Sequence, residues 1–96
     1  MPDYLLTFEL SKDKNELYIC TDITGLENLI TELTSLLRWS RSNKTEHIHL
    51  MTEEWGGHEL SSQSQIGEVL NHVKVYCWNE EQMAERTRLG STADGP

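Results

Sequence analysis

The chain has few basic residues, and this shortage excludes one class of partner. Its 96 residues include 8 lysines and arginines against 16 aspartates and glutamates, which gives a formal net charge of −8. A surface of this sign repels phosphate backbones, so nucleic-acid binding through a basic patch is excluded. The same charge would attract a basic protein and accelerate its association.

Cysteines and long apolar runs are also scarce. Cys20 and Cys77 are far apart and form no CxxC motif, which excludes a disulfide framework and a zinc site built from cysteine clusters. No segment has enough consecutive apolar residues to span a membrane, and the first residues, MPDYLLTFELSKD, lack the basic leader of a signal peptide. We therefore expect a cytoplasmic protein with no cofactor and no membrane contact.

Alternation of apolar and polar residues predicts four strands. A chain of 96 residues is long enough for one domain. Residues 4–10 and 16–21 alternate at period two and are separated by a polar turn, which predicts a hairpin. The segments 46–52 and 69–78 alternate in the same way, and the polar residues between them predict a long loop.

A helix is predicted between the second and third strands. Thr24 and Glu27 have the spacing of a capping box, and the helix should end within Ser42–Lys44. Its apolar residues recur at helical spacing and form one stripe: Leu26, Leu29, Ile30, Leu33, Leu36 and Leu37. We interpret this stripe as the face that packs into the core.

The element order β-β-α-β-β predicts an α+β fold with a four-stranded, mostly antiparallel sheet and one helix packed on one face. We assign residues 1–78 to this single domain and 79–96 to a charged, then small and polar tail that is partly disordered. One sheet face would then have no helix on it, and a partner chain or the long loop should cover it. By alternation this open face carries Thr7, Glu9, Tyr18, His47, His49, Met51, His72, Tyr76 and Trp78.

The segment EHIHLMTEEWGGHELS at 46–61 admits a metal hypothesis. His47 and His49 project from the same side of a strand. His72, or else His58 or Glu59 from the loop, would complete a three-ligand site that leaves a position open for water. A His-x-His pair without a second motif at fixed spacing is weak evidence. A metal-binding protein or metal-dependent hydrolase is therefore the alternative interpretation.

Gly56 and Gly57 predict a tight turn with a positive φ at glycine.

Two motifs together resemble a family of small bacterial immunity proteins of polymorphic toxin systems, the immunity protein 32 family. The motifs are HIHLMTEEWGGHELS at 47–61 and NHVKVY at 71–76, followed by Trp78. The resemblance implies that the protein binds and silences a cognate toxin and is not itself an enzyme. A basic toxin suits the acidic composition of this chain.

On this interpretation the conspicuous residues of the second half contact the toxin. They comprise aromatic anchors, an acidic rim and a histidine centre: Trp55, Tyr76 and Trp78; Glu53, Glu54 and Glu59; and His47, His49 and His72. An equally open alternative is that Trp55 packs inward against the sheet. A homodimer through the open face is a further alternative.

Overall fold

The computed structural model describes residues 3–88. Along the chain these residues form strands β1 (Leu6–Leu10) and β2 (Leu17–Thr21), helix α1 (Ile23–Arg41), strands β3 (His47–Met51), β4 (Glu68–Val69) and β5 (His72–Tyr76), and helix α2 (Glu80–Arg88). A 3₁₀ turn at Glu53–Trp55 follows β3. Neither α1 nor α2 is long and apolar enough to cross a membrane.

The described residues combine helices with antiparallel strands, which confirms the α+β class. The strands form two sheets and there are two helices among these residues, so the prediction of a single four-stranded sheet with one helix is wrong. One sheet has the order β2-β1-β4, and the other consists of β3 and β5. All of these strand pairs are antiparallel. The second helix, α2, lies in the segment that we assigned to the tail, and residues 89–96 of that tail lie outside the described residues.

The two sheets separate in the middle of the segment 69–78, which the sequence predicted as one strand. Leu70 donates its backbone N–H to the carbonyl of Phe8 at 2.8 Å, and this bond ties it to the first sheet. The carbonyl of the next residue, Asn71, accepts from the N–H of Thr52 at 3.0 Å, beside the second sheet. The backbone therefore changes hydrogen-bonding partners within two residues, although the apolar alternation continues.

Helix α1 packs across both sheets and closes one hydrophobic core. The core side chains come from β1, α1, β3 and the segment after the 3₁₀ turn: Leu6, Phe8, Leu29, Leu36, Ile48, Leu50 and Leu60. Val73 and Val75 of β5 pack against the same cluster. Because Ile48 and Leu50 point into this core, the alternate residues of β3 point away from α1.

The cap of α1 differs from the predicted capping box. Asp22 follows β2 directly and accepts the backbone N–H of Gly25 through Oδ1 at 2.7 Å, so the helix begins at Ile23. An aspartate is a stronger N-cap than a threonine, and it precedes Thr24 in the chain. The helix ends as predicted, with Ser42 as its C-cap and Asn43 in a left-handed conformation at φ 59°.

The apolar stripe of α1 is only partly core. Leu29 and Leu36 are buried, but the other members, Leu26, Ile30, Leu33 and Leu37, are between 40% and 54% exposed. The interpretation of the whole stripe as a core face is therefore wrong. The helix carries more apolar residues than the short strands beneath it can cover.

The predicted open face is also divided between the two sheets. Thr7 and Glu9 of β1 are fully buried because the segment 61–67 folds over them. The carboxylate of Glu9 accepts the backbone N–H groups of Gln65, Ile66 and Gly67. The long loop therefore covers part of this sheet, to which Tyr18 of β2 also belongs, whereas the histidines, Tyr76 and Trp78 lie on or beside the other one.

Candidate functional site

The outer face of the β3–β5 sheet brings together most of the side chains that the sequence singled out. In the antiparallel register His47 lies opposite Tyr76, His49 opposite Lys74, and Met51 opposite His72. Paired residues point to the same side of a sheet. Since Ile48 and Leu50 face α1, these side chains face away from the core.

Six rings on this face contact one another in a continuous series, which we call the ring ladder. Successive ring centroids lie 6.1, 5.0, 4.9, 5.2 and 5.4 Å apart in the order Trp55, His72, His49, His47, Tyr76 and Trp78. These are contact distances for aromatic side chains, so the rings support one another's orientation. The ladder runs across both strands and ends at Trp55 in the 3₁₀ turn.

The centre of the ring ladder is polar. His49 Nδ1 and His72 Nε2 lie 2.8 Å apart, so one ring donates its N–H to the other. Desolvation of the ring by the side chains around it, and then the neighbouring His47, His72 and Lys74, lower the pKa of His49. Each of these effects disfavours the protonated form of His49, so His49 is neutral more often than a free histidine at the same pH.

Among the described atoms, His47 Nδ1 is buried and has no hydrogen-bond partner. Its ring lies between those of His49 and Tyr76. A buried nitrogen of this kind normally finds a partner, and leaving it unpaired costs free energy. His47 Nδ1 is therefore an unpaired polar atom near the middle of the ring ladder.

The side chain of Trp55, the last residue of the 3₁₀ turn, points outward. The N–H of Trp55 donates to the carbonyl of Thr52 at 3.0 Å, and Gly56 follows with φ +90°. A positive φ favours glycine, so this residue can reverse the chain where others would be strained. Trp55 is 58% exposed, and it does not pack inward against the sheet.

Gly57 is required by close packing rather than by its backbone angle. A Cβ atom at this position would lie 2.6 Å from Cβ of Met51, which is closer than side-chain atoms approach one another. The N–H of Gly57 donates to the carbonyl of Thr52 at 3.0 Å. The two glycines thus have separate structural roles in one turn.

The three predicted rim carboxylates have different environments. Glu53 and Glu54 are exposed in the 3₁₀ turn beside Trp55. Glu59 instead accepts the backbone N–H of Met51 through Oε1 at 3.1 Å, which fixes the segment after the turn to the end of β3. Glu59 therefore has a structural contact, and the acidic edge of the ladder consists of Glu53 and Glu54.

Trp78 closes the other end of the ladder and is partly covered. Its indole Nε1 donates to the Glu46 carboxylate at 2.9 Å, and the Arg86 guanidinium of α2 lies 4.0 Å from its ring centroid. Sequence reasoning missed Glu46 and Arg86. Arg86 lies in the assigned tail, where no alternation indicates a contact with the sheet.

Lys74 also belongs to this face, although it was not among the predicted contact residues. Its Nζ lies 5.3 Å from the centroid of the Tyr76 ring. Strand alternation was the available signal, because Lys74 lies two residues before Tyr76 and on the same side. It places one positive charge within a face whose edge is acidic.

The histidines are close together but do not form a preassembled metal centre. Within residues 3–88 no group of three or more histidine, cysteine, aspartate or glutamate side chains is arranged to hold a metal ion. The hydrogen bond between His49 and His72 would have to break before both nitrogens could bind one ion. Metal binding at His47, His49 and His72 therefore requires rearrangement of the rings.

No family model, curated protein or solved structure matches this chain.

Proposed function

We propose that the protein is an immunity-type binding protein that neutralises a basic toxin by direct contact through the ring ladder. The observation that carries the proposal is the exposed series of rings on the outer face of the β3–β5 sheet. Tyrosine and tryptophan anchors supply much of the binding energy in protein interfaces, because they bury a large area at a small cost in conformational entropy. Trp55 and Tyr76, at 58% and 44% exposed, are available for this role.

Charge supports a basic partner. The chain has a net charge of −8, and Glu53 and Glu54 place exposed carboxylates beside Trp55. Acidic residues at the edge of an interface accelerate encounter with a basic surface, whereas buried aromatic anchors slow dissociation. The acidic residues of the turn thus accelerate association with the toxin, and the rings slow its dissociation.

A growth assay tests this function. The chain is co-expressed with a candidate basic toxin domain, and cell growth is followed as toxin expression is raised. We expect the wild-type chain to protect the cells and Trp55→Ala with Tyr76→Ala to lose protection at equal protein abundance. Cells that die equally with and without the wild-type chain contradict the proposal.

The alternative function is metal binding or metal-dependent hydrolysis at His47, His49 and His72. The proximity of the three rings favours it, whereas the hydrogen bond between two of them opposes it. We expect calorimetric titration of chelator-treated protein with Zn²⁺ near neutral pH to give no tight binding with one ion per chain. Tight binding that is lost in His47→Ala with His49→Ala would instead establish a metal site, and assays for hydrolysis would follow.

A further inference from the structure

Helix α1 carries a second apolar surface that residues 3–88 leave largely exposed. Ile23, Leu26, Ile30, Leu33 and Leu37 follow one another at spacings of three, four, three and four residues. We call these five residues the α1 seam. Ile23 is 80% exposed, and the other members are about half exposed. A strict alternation of three and four is the spacing by which two helices pack side by side.

The α1 seam is separate from the face that α1 turns toward the core. Leu29 and Leu36 lie along one flank of the seam, at a spacing of seven residues, and both are buried. The residues Glu27, Thr34 and Arg41 lie along the other flank at the same spacing and are exposed. The helix thus has one apolar strip for the core and a neighbouring strip with no described cover.

Strand β2 extends this apolar surface. Leu17 and Ile19 are paired with Leu10 and Phe8, so they point to the sheet face on which α1 packs, yet both are half exposed. Together with the α1 seam they make seven large apolar side chains, each at least 40% exposed. A cluster of exposed apolar side chains of this kind marks an interaction surface.

The charges beside the seam are arranged so that the surface complements itself. Glu27 lies near the start of α1, whereas Arg38 and Arg41 lie near its end. If two copies of the helix pack antiparallel, the carboxylate of each copy lies beside the basic end of the other. A parallel arrangement would place like charges together, which opposes association.

The shape of the basic end fits the same arrangement. A groove of about 330 Å³, lined by Thr34, Leu37, Arg38, Arg41 and Ser42, lies beside the end of the seam. In an antiparallel pair this groove faces the start of α1 in the second copy. Ile23, the most exposed member of the seam, is then placed to enter it.

We propose that a second copy of this chain covers the α1 seam and that the protein is a homodimer with antiparallel α1 helices. The two-fold axis crosses the seam, so each contact occurs twice. Because the ring ladder points away from α1, this dimer leaves both ladders free to bind a partner. The proposal therefore does not depend on what the ring ladder binds.

Sedimentation velocity of the full chain from low to several hundred micromolar concentration tests the dimer. We expect a species of twice the 11.1 kDa chain mass. Ile30→Glu introduces one carboxylate per copy into the seam and should raise the dimer dissociation constant roughly a hundredfold. The matched control is Ile66→Glu, which changes an exposed isoleucine outside the seam and should leave the constant unchanged.

Exchange of the flanking charges tests the antiparallel arrangement with substitutions that do not touch the core. Glu27→Arg alone and Arg41→Glu alone should each weaken the dimer, and the two together should restore it. A wild-type chain that stays monomeric throughout overturns the proposal, as does a dimer that survives Ile30→Glu. A dimer lost in Tyr76→Ala but unaffected by the charge exchange would place the contact on the outer face of the β3–β5 sheet and equally overturn it.

Discussion

Replacing Glu9 with alanine should lower the free energy of unfolding by about 3 kcal/mol and the melting temperature by roughly 15 °C. Glu9 is a fully buried carboxylate near the end of β1. It accepts a hydrogen bond from the Thr7 hydroxyl and from the N–H groups of residues 65–67, and the Gly67 N–H is the closest of these backbone donors, at 2.7 Å. Without this acceptor the backbone N–H groups of residues 65–67 lose their hydrogen-bond partner.

The same contacts predict how stability depends on pH. Burial by itself would raise the pKa of Glu9, but the hydrogen bonds from Thr7 and from the backbone of residues 65–67 outweigh it and lower the pKa to about 2. In the unfolded chain the pKa is about 4.5, so the unfolded state binds the proton first as pH falls. The stabilisation by Glu9 is complete above pH ~4.5 and is lost between that value and pH ~2.

A matched pair of variants isolates this effect. Glu9→Gln keeps the shape of the side chain but removes the charge, so the difference in unfolding free energy from wild type should shrink as the solution is acidified. Glu54→Gln removes an exposed carboxylate of the 3₁₀ turn and serves as the control. Chemical denaturation at several pH values measures both differences. A Glu9→Gln difference that does not change between neutral and acid pH would contradict the assigned role of the carboxylate.

The second large effect is expected at the ring ladder. Trp55→Ala and Tyr76→Ala should each weaken binding of a basic toxin domain roughly a hundredfold, which is typical of an aromatic anchor at the centre of an interface. Both side chains are exposed, so their removal should change the free energy of unfolding by no more than about 1 kcal/mol. Surface plasmon resonance should show the loss mainly as faster dissociation.

Two further variants distinguish the effect of the aromatic side chains on dissociation from the effect of the acidic residues on association. Ile66→Ala removes an exposed apolar side chain away from the ladder and should leave the affinity unchanged. Glu54→Lys should slow association and reduce its salt dependence, with little effect on dissociation. If Ile66→Ala weakens binding as much as Tyr76→Ala, the toxin does not bind through the ring ladder.

Sequence alternation was sufficient to identify most of the ring ladder. His47 and His49 lie on one side of β3, and His72 and Tyr76 lie on the matching side of β5. Strand periodicity fixes this sidedness locally, and it holds whether the strands belong to one sheet or two. The helix and its end could also be predicted, because helical spacing is a local signal, although the N-cap is Asp22 and not the predicted Thr24.

Long-range contacts decided the features that sequence reasoning missed. Nothing in the alternation of residues 69–78 shows that Leu70 bonds to β1 and that Asn71 bonds beside β3. The burial of Glu9 depends on a segment more than fifty residues away. A glutamate on a strand normally indicates a solvated face, so no local pattern distinguishes this one.

The apolar stripe of α1 shows a different limit of prediction from the sequence. Helical spacing identifies which residues share a face, but not how much of that face the rest of the chain can cover. Leu29 and Leu36 meet the core, whereas Ile30 and Leu33 on the same broad stripe do not. Their exposure is visible only once the width of the sheets is known.

A calorimetric titration of the wild-type chain with a purified candidate basic toxin domain tests directly whether the chain binds a toxin. We expect tight binding with one toxin per chain, weakened by salt because charge assists association. The absence of binding at any ionic strength, with a folded chain and an active toxin, would contradict the assignment of the ring ladder as a toxin-binding surface.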